Sequence, residues 1–110
     1  MARTRRIRRG RHAHFGSAED THARSLVVAR NAVRSATKGI AAALTTGNCA
    51  RADTELRRAT YFEGQAAVHY DASMPYLAQG AFRDSLEARE LDEAAKHFRV
   101  ACVRDRIKKG

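Results

Sequence analysis

From Leu26 onward the apolar side chains fall at Leu26, Ala29, Val33, Ala36, Ile40 and Ala43, with spacings that alternate between three and four residues. That rhythm draws one continuous stripe along a helix. It predicts a helix that opens on a Ser17 cap, carries Glu19 and Asp20 in its first turn and runs to about Thr45. Large residues hold one seam position, at Leu26, Val33 and Ile40, and alanines the other, at Ala29, Ala36 and Ala43. Such alternation lets a neighbouring helix approach closely and interlock. Residues 45–48, Thr-Thr-Gly-Asn, read as a stop and turn with Gly47 as the left-handed cap. A second helix is expected over about 50–70, burying Ala52, Leu56, Ala59, Phe62, Ala66 and Tyr70. Pro75 disfavours helical geometry at Met74 and breaks it. A third helix is expected over about 74–89, capped by Ser73, with Leu77, Ala81, Phe82 and Leu86 inward. A fourth begins near Asp92 and faces Leu91, Ala94, Phe98, Ala101 and Cys102 inward. No segment has the period of a strand. The expected fold is all-α: two stacked antiparallel helical hairpins, three to four helices, over residues 17–110, with residues 1–16 an extended basic arm.

Composition supports a single small body. Alanine is the commonest of the 110 residues, at 22, tryptophan is absent and the aromatics number seven. Small side chains bury little area each, so helices built from them must pack closely to gain enough contact. Charge changes the picture more. The net charge is +9, and six arginines (Arg3, Arg5, Arg6, Arg8, Arg9 and Arg11) fall within the first eleven residues with no acid among them. The remainder holds 15 basic and 12 acidic residues, a balance of +3. A like-charge block of this kind acts as an interaction arm. Guanidinium matches phosphate as a planar fork where ammonium is a point charge, and the chain carries 17 Arg against 4 Lys. A codon bias toward Arg and Ala would produce the same preference.

The arm does not read as an address label. A secretory signal needs an apolar run after its charges, and here only Ile7 and Phe15 are large and apolar. TRRIRRGRH spreads basic residues over every helical face, unlike a mitochondrial presequence. No segment approaches the apolar length that spans a bilayer. The reading is a soluble, intracellular or virion-associated protein without a signal peptide. Cys49 and Cys102 then read as reduced, buried and inert.

Catalytic chemistry finds no foothold in the pattern. Glu19-Asp20 and Asp92-Glu93 sit in expected first turns, where the helix dipole accounts for them, and there is no phosphate-cradling glycine loop or nucleophile elbow. His12 and His14 are the only close histidine pair, and they lie in the field of six arginines, which repels a cation. His22, His69 and His97 are scattered. No catalytic residue, metal site, cofactor or small-molecule substrate is expected.

A partial internal repeat links the two expected hairpins. Leu44, Cys49, Ala52, Leu56 and Ala59 recur forty-two residues later as Leu86, Leu91, Ala94, Phe98 and Ala101. This order resembles the turn of tetratricopeptide repeats, which implies that Ala52 and Ala94 are contact points between paired helices, each followed by a large residue, Leu56 or Phe98. Short, Arg-tailed, Ala-rich helical chains also resemble accessory virion proteins of tailed bacteriophages, where a basic arm meets the packaged genome or an acidic capsid surface. A basic head followed by a hairpin with AAL-x2-G at its turn is similar to a helical-bundle protein of the bacterial small ribosomal subunit.

The expected function is non-enzymatic assembly. The six arm arginines would meet nucleic acid without regard to sequence, or an acidic protein surface, and the helices would meet protein neighbours in a larger assembly, with no membrane involved. An RNA-binding, ribosome-associated bundle and a tetratricopeptide-like interaction adaptor are the alternatives.

Overall fold

The computed structural model describes the chain over residues 4–103, with side chains from residue 18 onward. It is all-α, with α1 (Thr4–Thr45), α2 (Cys49–Ser73) and α3 (Leu86–Phe98). A 3-10 turn (Ala81–Asp84) precedes α3 and a π turn (Arg99–Val103) follows it. The bounds of α1 take in the segment expected as an arm and pass the Ser17 expected as its cap, so Glu19 and Asp20 lie within the helix and not in its first turn. The arm's side chains lie outside the described residues.

The α1–α2 hairpin follows from its alanines. All six members of the α1 stripe are buried, with Val33, Ala36, Ile40 and Ala43 fully so. On α2 the fully buried residues are Ala52, Ala59 and Ala66. Both helices thus carry alanine every seven residues on the facing seam. The pairs 43/52, 36/59 and 29/66 are each equidistant from the turn, so an antiparallel hairpin brings alanine to alanine at three successive levels. Close approach of the two backbones compensates for the small area each methyl buries. Ala36, Ala43, Ala52 and Ala59 belong to one core cluster with Leu91, Phe98 and Cys102 from the C-terminal part of the chain. Ala29 and Ala66 belong to a second, with Leu26, Phe82 and Ala88.

The turn is built as its sequence dictates. Gly47 takes φ 74°, a left-handed conformation that costs glycine nothing. Asn48 N–H donates to the Ala43 carbonyl at 2.8 Å and Gly47 N–H to the Leu44 carbonyl at 3.1 Å, the pair of bonds that makes a Schellman stop. Asn48 then caps α2, its side-chain oxygen accepting from Arg51 N–H at 3.0 Å. One residue closes the first helix and the next opens the second.

After α2 the chain departs from expectation. Residues 74–85 form turns and the 3-10 segment instead of a third α-helix, and the fully buried Phe82 is the plug of that segment. Two backbone features stop a helix there: Pro75, and Gly80 in a left-handed conformation at φ 87°. The helix cap is Ser85, not Ser73: Ser85 Oγ accepts from Ala88 N–H at 3.2 Å, while Ser73 Oγ donates to the Tyr70 carbonyl. From Leu86 to Phe98 the chain is one uninterrupted helix through the point where a second hairpin turn was expected. That stretch, LEARELDEAAKHF, lacks Gly and Pro and is rich in strong helix formers. The second copy of the repeat therefore has no turn, and Leu86, expected inside, is 58% exposed. The architecture is one long hairpin with α3 packed against both of its helices.

The cysteines also correct the sequence reading. Cys49 and Cys102 form a disulfide, with their Cα atoms 5.7 Å apart. Cys49 is the first residue of α2 and Cys102 lies in the π turn after α3, so the bridge staples the C-terminal end of the fold to the hairpin turn.

Ala52 gives a sharp test of the hairpin. Ala52→Leu should destabilise the fold by about 1–3 kcal/mol, because added methylenes push apart helices already in contact. Ala94→Leu should cost much less, since Ala94 is half-buried at the edge of the core. Equal denaturant midpoints for the Ala52 variant and the parent would refute the alanine seam.

Candidate functional site

Of the residues singled out from sequence, Ala52, Leu56, Ala94 and Phe98 all come together in the larger core cluster, with Ala52 and Phe98 buried and the other two packed against them. The side chains of Arg3, Arg5, Arg6, Arg8, Arg9 and Arg11 lie outside the described residues, as does the C-terminal group Arg104, Arg106, Lys108 and Lys109. What the structure adds is the surface to which the arm is joined.

A groove of about 450 Å³ runs between α1 and α3. Its floor is apolar, made by Ile40, Ala41, Leu44 and Ala94. One wall, from α1, bears Arg34 and Lys38; the opposite wall, from α3, bears Glu90 and Glu93 together with Arg89. A second hollow shares Ala41, Leu44 and His97 and extends the groove to Val100, which is 63% exposed, and Ala101. The groove exists because α3 meets α1 at two separated places. Leu91 and Phe98 enter the core at the C-terminal half of α1, and Glu87 anchors the start of α3 further back.

That anchor joins residues 57 apart in the chain, a pairing that local pattern does not reveal. Glu87 is buried, with 4% exposure, and its Oε1 accepts from Arg30 Nη2 at 2.8 Å across the α1–α3 contact. Burial pushes the carboxyl upward. The Arg30 hydrogen bond, its own backbone N–H in the first turn of α3, and the charges of Arg30 and Arg34 outweigh that effect and hold the group below its ordinary value. The sequence signal was an acid two residues after a capping serine, a position the helix dipole favours.

A depressed carboxylate contributes stability that is present above its unfolded pKa and lost as pH falls through the folded one. The parent should therefore lose this contribution on acidification below about 4.5, the ordinary value for a glutamate. Glu87→Gln should lose about 1–2 kcal/mol at pH 7, a hydrogen bond to a charged group that Arg30 can partly recover from solvent. Its stability should also lack the parent's acid-dependent step. Parallel melts from pH 7 to pH 3 check this, and identical pH profiles would refute it.

The remaining ion pairs among the described residues, Arg57–Asp53 and Arg58–Glu55, lie along single helices, as does the 3.8 Å approach of His97 to Glu93. They add little to stability. No helix of the described residues is long and apolar enough to cross a membrane. No protein-family model, curated protein or solved structure matches the chain.

Proposed function

We propose that this chain is a small structural protein of a larger assembly, an accessory virion component, that holds nucleic acid through its N-terminal arginines and protein neighbours through its helical body. The observation that carries the reading is the segregation of charge: six cations in eleven residues, joined to a body whose net charge is only +3. Binding of that kind proceeds by neutralising phosphates and releasing counterions, and it needs no base-reading element. The disulfide supports the same setting. Disulfides persist where the surroundings are oxidising, as they are for a particle released from its cell. A ribosome-associated role would keep Cys49 and Cys102 in a reducing compartment.

A protein-interaction adaptor is the second reading, favoured by the apolar-floored groove between α1 and α3 with charged side chains on both walls. The two readings part on the arm's ligand. In anisotropy titrations, duplex DNA should bind with steep salt dependence and indifference to sequence, and polyglutamate should bind more weakly. Preference for polyglutamate would overturn the nucleic-acid reading in favour of the adaptor. Preference for structured RNA over DNA would favour the ribosomal one.

A further inference from the structure

The disulfide fastens the hairpin at its turn; the opposite end is fastened by a histidine pair. His22 on α1 and His69 on α2 are both half-buried, and their Nδ1 atoms approach to 2.8 Å. The rings stand 5.1 Å apart between centroids and are tilted by 40°. At that distance a single N–H between the two atoms makes one Nδ1 the donor and the other the acceptor of a hydrogen bond. Forty-seven residues separate the two in sequence, so the spacing of histidines along the chain gave no hint of the pair.

We infer that His22 and His69 form a two-histidine site for a borderline divalent cation of the zinc or nickel class, which bridges α1 to α2 at the root of the arm. The chemistry follows from the atoms. Neutral imidazole nitrogen is a ligand of choice for these ions. Two nitrogens each about 2.0–2.1 Å from a tetrahedral zinc lie roughly 3.3 Å apart, so the present separation needs to open by only about half an ångström. The Nδ1 proton of the donor ring moves to its own Nε2 by exchange with solvent, leaving both Nδ1 lone pairs for the metal and releasing no net proton from the neutral pair.

Both rings are half-buried, so solvent reaches the pair and can supply the remaining ligands. A hollow of about 310 Å³ opens beside His69, though His22 does not line it, and Ser25, Gln65 and the exposed Arg24 are among its lining residues. Among the described residues no group of three or more His, Cys, Asp or Glu side chains converges. The site is therefore an open, exchangeable one and not a closed structural centre. Its consequence is mechanical. Helix α1 continues toward the arm beyond His22, so a metal here would fix the arm's point of emergence against α2, at the end of the hairpin farthest from the disulfide.

The test uses the full untagged chain with His12→Ala and His14→Ala, which removes the arm's own histidines, and zinc chloride as the probe. Addition of zinc at a saturating excess should raise the melting midpoint by about 5 °C or more. In NMR titrations the ring C–H signals of His22 and His69 should shift together and saturate at one equivalent, while His97 stays in place. His69→Ala and His22→Ala should each remove the gain in melting midpoint. His22 and His69 signals that do not move in the parent would overturn the inference, whether or not the variants fold. So would a stabilisation that survives His69→Ala.

Discussion

Reduction of the Cys49–Cys102 disulfide is expected to be the most destabilising single change to the body. The bridge closes a loop with a sequence separation of 53 residues, and the chain-entropy model assigns such a loop about 4 kcal/mol. A domain of this size with an alanine core has little reserve, so the loss is a large share of its stability. The midpoint of thermal unfolding should fall by on the order of 20 °C on reduction, or in the Cys49→Ala/Cys102→Ala variant. Alanine is the right replacement because Cys102 is 2% exposed and a serine there would bury an extra hydroxyl. Thiol reagents should label neither cysteine in denaturant alone and both after a reductant is added. Free thiols in the unreduced, denatured protein would refute the bridge. Coincident melts of oxidised and reduced protein would show that it closes nothing the fold needs.

The bridge also shows where sequence reasoning reached its limit. The α1 stripe and the Gly47 turn were legible because both are local: a helical period and a left-handed glycine need no knowledge of the rest of the chain. The seam alanines of α2 were legible for the same reason, and the hairpin follows once the turn is placed midway between the two alanine series. The region after Ser73 was not legible. There the likeness of Leu86 to Leu44 suggests a turn inside LEARELDEAAKHF, where no residue breaks a helix. Misplacing that turn concealed both long-range contacts of α3. Glu87 reaches Arg30, and Cys102 reaches Cys49, only if Leu86–Phe98 is a single rod with its C-terminal end returned to the hairpin turn. Likewise His22 and His69 looked scattered because proximity across an antiparallel hairpin depends on distance from the turn and not on spacing along the chain.

The arm yields the second large effect, and it is independent of how the body folds. If six arginines neutralise phosphates, the affinity for duplex DNA should fall with salt at a log–log slope near −5, from about −0.9 per phosphate. Between 50 and 200 mM salt that slope is a loss of roughly a thousandfold. Deleting residues 1–11 should remove most of the slope and leave weak residual binding by a body at +3. The melting midpoint should hardly change, because the first buried side chain of α1 among the described residues is Leu26, well beyond the deletion. Scrambling the DNA should alter affinity little, since neutralising phosphates carries no base information. Replacing the six arginines by lysine should retain most of the slope, because counterion release counts charges, while weakening any bidentate contact to phosphate. A truncated chain that binds DNA as tightly as the full one would sink the arm as the nucleic-acid contact. It would pass that role to Arg104, Arg106, Lys108 and Lys109, four cations within six residues, and their replacement by serine would then have to abolish the salt dependence instead.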